Sequence, residues 1–453
     1  MNDSQPKQQT ARVLTEIPGP KSRALRARED EWLAPGTQGY AISSGIAIES
    51  GRGSAVTDVD GNQYLDLIGG IGVNALGHSH PVWARAVEEQ AKLASVGSFT
   101  SKSRVDLLEK VSAHAPTGMR RLQLYSSGAE AVESAIRLAK SYTGKHEVVS
   151  FWGGFHGKTL GALSLMGSTF KEHLGPLPGG SYQIPYADCY RCPLKSSYPG
   201  CGLACVELGK KHLKMQSSGA IAAVIVEPMQ GTAGNIIPPK DFLPAVRDLA
   251  KEMGALLIAD EMITGFGRTG TYWGVEHSAV RPDIMTLGKA FGGGFPLSGL
   301  LTSHEIARSK PWSLPSGSSS SYGGNPLAAA AGAASLAIID DEKLVENSKR
   351  VGGYFLEQLK VFEEKYPFVG VVRGSGLFLG MELVKDKSTK EPLARPVTQR
   401  LFDEAVKRGL LSMLYAPSFR IQPALTIDEG TAKNAIAILE EVFDWAKQNK
   451  ICE

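Results

Sequence analysis

"IAAVIVEPMQGTAGNIIPPKDFLPAVRDLAKEMGALLIADE", residues 221–261, sets two short apolar runs around a helix-length polar–apolar segment, "DFLPAVRDLAKEMG". Neither run alternates polar with apolar residues, so each predicts a strand covered on both faces. A buried strand, a crossover helix and a second buried strand imply parallel pairing. The same texture extends outward through "HEVVSF" (146–151) and "PDIMTLGK" (282–289). Helical periodicity marks "PVWARAVEEQAKLAS" (81–95) and "AEAVESAIRLAKSYTG" (129–144), the latter ending at Gly144 as a C-cap would. Together these runs predict an α/β fold with a mainly parallel sheet between helices.

The flanks read differently. Residues 1–30 are polar and basic, an arm or a helix laid on another surface. "SAVTDVDGNQYLDL" (54–67) carries a turn signal at Asp60-Gly61-Asn62 and predicts a hairpin. After the small-residue helix "NPLAAAAGAASLAII" (325–339), the segments "VRGSGLFLGMELV", "FRIQPALTI" and "GTAKNAIAILEEVFDWAKQ" predict a compact α+β unit. The predicted organisation is an arm and part of a small domain over 1–79, a large domain over 80–335, and the rest of the small domain over 336–453.

Composition narrows the classes. A chain of 453 residues buries a large core and divides into at least two folding units. Net charge of +3 gives no electrostatic case for nucleic acid or an anionic membrane. No window approaches the apolar length of a membrane span, and the polar start lacks a signal-peptide core. The expectation is a cytoplasmic protein.

Four signals fall at the ends of predicted strands, where open α/β sheets place ligands. "YSSGAEA" (125–131) opens a helix whose N–H groups and dipole suit a phosphate, although capping by Ser127 explains it equally well. "FWGGFHGKT" (151–159) brings aromatic and imidazole groups after a strand; its plainer reading is a Gly-rich loop with a core Phe. "LLIADEMITGFGRTG" (256–270) buries a carboxylate, Asp260, which needs a cation such as Arg268 or a ligand. Lys289 stands where the chain is about to be buried, either as a desolvated nucleophile or as a snorkelling strand-end lysine. One cofactor would use all four: an aldehyde for Lys289, a phosphate for the helix start, a flat ring for Phe155 and a ring nitrogen for Asp260. Protonating that nitrogen makes the ring an electron sink.

With these motifs in view, the chain resembles the class III pyridoxal-phosphate-dependent aminotransferases of fold type I. The resemblance runs from "IPGPKSRAL" (17–25) to "FRIQPALTI" (419–427), through "YSSGAEAVESAIRLAK", "FHGKT", "VEPMQG", "DEMITGFGRTG", "PDIMTLGKAFGGGFPLSG" and "SYGGNPLAAAA". It implies a seven-stranded-type sheet in the large, cofactor-binding domain and a homodimer with active sites across its interface. It further implies that Lys289 is the Schiff-base lysine and Asp260 the pyridinium partner. Ser127, Gly128 and Ala129 match the phosphate turn, and Phe155 with His156 the ring-stacking motif. Ser321 falls where the family usually has a threonine reaching the neighbouring subunit's phosphate, and Arg420 matches the arginine that grips a substrate carboxylate. The implied reaction is a ping-pong transfer of an amino group to a keto acid such as pyruvate or 2-oxoglutarate.

Two departures bear on the donor. Thr232 replaces the acidic residue that follows "EPxQG" in ornithine- and aminobutyrate-type members, and Ile263 replaces the Gln of "DExQTG". Both favour a broader amine or ω-amino-acid donor, closer to the ω-amine:pyruvate transaminases. Similar sequences also include amino-acid racemases and epimerases, which use the same lysine chemistry, and no residue separates the two outcomes. A cofactor-binding protein without catalysis is disfavoured by the presence of both Lys289 and Asp260.

"CYRCPLKSSYPGCGLAC" places Cys189, Cys192, Cys201 and Cys205 at C-x2-C-x8-C-x3-C inside an insertion over 186–206, with Cys452 elsewhere. That spacing suits a structural zinc or iron–sulfur site, or reduced thiols packed in a loop. The resemblance does not decide between them.

Overall fold

The structure, a computed structural model, describes residues 8–167 and 169–453. The chain forms two compact units, one spanning Arg85–Glu342 and the other joining the chain's two flanks, up to Ala84 and from Lys343 onward.

The unit Arg85–Glu342 is organised on a seven-stranded sheet. Its spatial order is Met119–Tyr125, Ser298–Ser303, Ile284–Leu287, Leu256–Asp260, Ile221–Val226, Glu147–Phe151 and Ser181–Ile184. The last five pair in parallel, whereas Ser298–Ser303 runs antiparallel to both its neighbours. The parallel strands of the opening segment are buried at every position, which accounts for their unbroken apolar sequence. Helix Phe242–Glu252 makes the crossover and buries Phe242, Leu243, Val246, Leu249 and Ala250.

Helix Gly128–Thr143 lays Ala131, Val132, Ala135, Ile136, Leu138 and Ala139 into a core with Val148, Ala223, Ile225, Ile258, Ile284 and Leu300. Truncating one such large aliphatic side chain to alanine costs about 2–5 kcal/mol. The helix begins at a capping box formed by Ser127 and Glu130. It ends at Gly144, whose φ of 67° closes the last turn.

In the other unit the hairpin forms as expected, with Ala55–Asp58 antiparallel to Gln63–Asp66. Asp58 fixes the turn by accepting the Asp60 and Asn62 N–H groups, each at 2.9 Å. Val369–Ser375 and Ser418–Ile421 flank Phe378–Asp386 in an antiparallel sheet, and helix Glu429–Gln448 contributes Ala435, Leu439, Val442 and Phe443 to the core. Helix Pro20–Asp30 lies within the basic N-terminal segment, whose first seven residues are outside those described. Among the described residues no helix is long and apolar enough to cross a membrane.

Candidate active site

Strand Leu256–Asp260 delivers the Asp260 carboxylate to the end of the parallel sheet, and the neighbouring strand Ile284–Leu287 aligns Thr286 beside it. Three groups hold that carboxylate. The Thr286 hydroxyl donates to Oδ1 at 3.0 Å, the Met262 N–H donates to Oδ1 at 3.1 Å, and His156 Nδ1 lies 2.7 Å from Oδ2. The side chains of Asp260 and His156 are each only 1% exposed. Burial alone would push the Asp260 carboxyl up. The hydrogen bond and charge of His156, together with the Lys289 ammonium, instead hold it below the usual carboxylate range. Burial likewise opposes a charged imidazole, yet Asp260 and Glu227 raise His156 above its ordinary value. Each group thus favours the charged form of the other, and His156 is the partner for which Arg268 was the plainer sequence candidate.

Lys289 follows the next strand end and opens the short turn Lys289–Gly292. It is half-buried and adopts φ 47°, a left-handed conformation that costs a non-glycine residue about 1–2 kcal/mol. A Cβ on the preceding Gly288 would stand 2.5 Å from the Met262 sulfur, so any larger residue there would push the Met262 side chain aside. Asp283 is occupied elsewhere, accepting the Leu257 N–H at 2.8 Å and fixing the register of the two strands.

The start of helix Gly128–Thr143 supplies backbone N–H groups at the end of strand Met119–Tyr125. Ser298 donates to the Ser127 carbonyl at 2.6 Å, tying this turn to the antiparallel strand. Glu130 Oε2 accepts the Ser126 and Ser127 N–H groups, at 2.9 and 3.0 Å. The loop carrying Phe155 and His156 packs so closely here that a Cβ on Gly157 would meet the Ala129 Cβ at 2.8 Å. Phe155 is half-buried, edge-on to Phe170 with ring centroids 5.7 Å apart.

Within this unit the structure brings together Asp260, His156, Phe155, Lys289 and the Ser127–Ala129 turn. The set fits pyridoxal phosphate: a held anion for a ring N–H, an amine whose charge reaches that anion, and a helix start for phosphate. His156 has, besides its expected place with Phe155, a tie of its ring nitrogen to Asp260. Ser321 is exposed on the loop after Pro311, next to Ser320, whose hydroxyl donates to Glu130 at 3.2 Å. Arg420 belongs to the other unit, half-buried on strand Ser418–Ile421 opposite Gly380.

Sequence reasoning missed Thr286, Met262, Glu130 and Glu227. Glu227 closes strand Ile221–Val226 inside "VEPMQG", and a carboxylate ending a fully apolar run was the available signal.

Cys189, Cys192, Cys201 and Cys205 line one cavity together with Tyr186 and Tyr198. The metal expectation is corrected here: among the described residues no group of three or more His, Cys, Asp or Glu side chains is arranged to hold a metal ion. The motif's spacing brings the thiols around a common space without setting three of them to a common centre. All four are free cysteines.

Residues 39–443 match the class-III aminotransferase family. The chain is 33% identical to a leucine/methionine racemase of Thermococcus litoralis, over 90% of this chain and 92% of that protein. It is 35% identical to a 5-aminovalerate aminotransferase of Pseudomonas putida, over 88% of this chain and 93% of that protein. A PLP-bound amine transaminase from an uncultivated Pseudomonas species superposes with a TM-score of 0.86 at 32% identity, covering 92% of this chain and 98% of that one. With the buried Asp260, the Lys289 turn and the helix start in place at the strand ends, the chain belongs to the class III aminotransferases, pyridoxal-phosphate-dependent transaminases of fold type I.

Proposed function

We propose that this enzyme moves the amino group of a primary amine or ω-amino acid, 4-aminobutyrate-like or broader, to a keto acid such as pyruvate or 2-oxoglutarate. The observation that carries the reading is the buried His156–Asp260 pair at 2.7 Å, with the Lys289 charge in reach of both. Pyridoxal phosphate supplies the electron sink that makes the donor's α-proton acidic. Asp260 would hold a positive ring nitrogen, Phe155 would cover the ring, and the Ser127–Ala129 turn would hold the phosphate, through the Gly128 and Ala129 N–H groups because Glu130 takes that of Ser127. Lys289 Nζ would take up the α-proton and return it. Arg420 receives the keto-acid carboxylate, a task suited to its planar fork. In a homodimer, Ser321 reaches the phosphate bound to a second copy of the chain.

Thr232 and Ile263 support the broader donor range, since neither carries the carboxylate or amide of the stricter aminobutyrate or ornithine pattern. The test is a panel of amine donors against pyruvate and 2-oxoglutarate, reading keto-acid consumption. Turnover with ω-amino acids or simple amines supports the reading.

A second reading, an amino-acid racemase, is favoured by the 33% identity to the Thermococcus litoralis enzyme. It differs only in where Lys289 and its surroundings return the proton. Sustained loss of optical rotation from one enantiomer without any keto acid would select it and overturn the first.

A further inference from the structure

The loop Trp152–His156, which presents Phe155 and His156 to the site, is fastened to the "VEPMQG" loop at two points. Glu227 Oε1 accepts the Phe155 N–H at 2.9 Å, and Gln230 Nε2 donates to the Trp152 carbonyl at 2.8 Å. The second Glu227 oxygen accepts the Gly231 N–H at 2.9 Å. From the far side, the Tyr186 hydroxyl donates to the Glu227 and Pro228 carbonyls at 3.1 and 3.2 Å.

Glu227 is 6% exposed. Burying a carboxylate is costly, and a fastening made only for stability is served more cheaply by a neutral group. Both Glu227 oxygens accept from backbone N–H groups that point at them. Only a carboxylate offers acceptors on both sides, because a glutamine must turn its NH₂ toward one of the two donors. The remaining titratable neighbours of Glu227 are His156 and Asp260, which it feels by charge, and Tyr186. Glu227 is therefore bonded to the backbone of the ring-covering residue and linked by charge to the ring-nitrogen partner.

We infer that Glu227, assisted by Gln230, is a positioning residue that sets the placement of Phe155 and His156 against the cofactor ring. The inference rests on the assignment of Phe155 as the ring-covering residue. It does not depend on whether the enzyme transfers an amino group or racemises.

The test compares holoenzymes of wild type, Glu227→Gln, Phe155→Ala and the double variant. Three quantities are read: the visible absorption maximum of bound cofactor, the cofactor dissociation rate, and kcat against KM for the amine. For Glu227→Gln we expect a displaced absorption maximum, cofactor loss faster by about tenfold, and kcat lower by about tenfold with KM changed less than about twofold. The double variant should lose less than the product of the two single losses, because both changes act in part through the placement of Phe155. An unmoved absorption maximum, or losses that simply add, would overturn the inference. If Glu227→Gln does not fold, Gln230→Ala decides instead: a displaced maximum supports the inference and an unchanged one ends it. Failure of the transaminase reading appears separately, in the keto-acid assay, and leaves the absorption readout intact.

Discussion

His156 Nδ1 lies 2.7 Å from Asp260 Oδ2, with both side chains withdrawn from water. A buried carboxylate next to an imidazole is stable when the imidazole is charged, and the two directions of shift agree with that. His156 is raised, so its contribution to stability is present below its unfolded value near 6.5 and fades as pH rises through its higher folded value. Asp260 is lowered, so its contribution is present above its unfolded value near 3.8 and fades as pH falls through its lower folded one.

The first prediction concerns that coupling. Asp260→Asn removes the charge that raises His156, and the imidazole should then lose its proton at a lower pH than in wild type. Nitrogen chemical shifts of labelled histidine read this directly in the cofactor-free protein. Turnover should fall about 100-fold or more, since the ring nitrogen loses its anion. A histidine whose titration does not move in the variant would mean another group supports it.

A second prediction isolates Lys289. On the proposed roles its Nζ moves the proton, whereas the Ser127–Ala129 turn and Asp260 would hold cofactor without it. Lys289→Ala should lose turnover by about 10⁴-fold or more while still retaining cofactor through dialysis at raised concentration. Wild-type activity in this variant would refute the assignment.

The keto-acid carboxylate gives a third. Arg420→Ala should raise KM for pyruvate or 2-oxoglutarate by about 10–100-fold, the loss of a charged hydrogen-bonding pair. A plain amine donor carries no carboxylate, so its KM should move less than about threefold. Equal effects on donor and acceptor would assign the carboxylate to another residue.

Sequence alone carried much of this site, for a physical reason. Asp260 ends an apolar run and Lys289 closely follows another, and burial makes such residues costly unless they have a task, whereas Ser127 was legible as a helix start after a strand. The parallel strands were legible because burial on both faces leaves no alternation. Ser298–Ser303 was not, since its residues follow a glycine-rich turn and their antiparallel direction depends on which edge of the sheet the chain re-enters. The role of His156 was also hidden. Its tie to Asp260 spans 104 positions in the chain and is created only when two strand ends meet. The cysteine spacing was legible as a cluster but not as a geometry, because orientation of four thiols around a cavity is set by the insertion's turns.

That cluster allows a fourth prediction. Cys189 is an exposed residue, yet burial of its thiol, and then the neighbouring Cys201, Cys205 and Cys192, push it up to about 11. The thiolate is the reactive form, so reduced Cys189 should alkylate with iodoacetamide at pH 7.5 about 100-fold more slowly than an ordinary thiol. Peptide mapping by mass spectrometry resolves it from the other cysteines. The rate should rise about tenfold per pH unit toward 11. A free-cysteine rate at neutral pH would show that the thiol faces water.

Glu261, next to Asp260 but turned the other way, gives the last. Its carboxylate accepts the Gly274 and Val275 N–H groups at 2.9 and 2.8 Å and the Thr264 hydroxyl. Burial nevertheless raises it from 4.5 to about 7. Between those values the folded protein holds a proton that the unfolded chain has released, so stability falls as pH rises from about 4.5 to about 7 and levels off above. The full cost of ionising it inside is about 3 kcal/mol. Glu261→Gln removes the titration while leaving one donor poorly matched, a pH-independent loss of about 1–3 kcal/mol. Relative to wild type, the variant should therefore be weakest near pH 5 and recover by pH 8, in thermal unfolding followed across that range. Parallel curves for the two proteins would mean that the three donors outweigh burial and keep Glu261 ionised throughout.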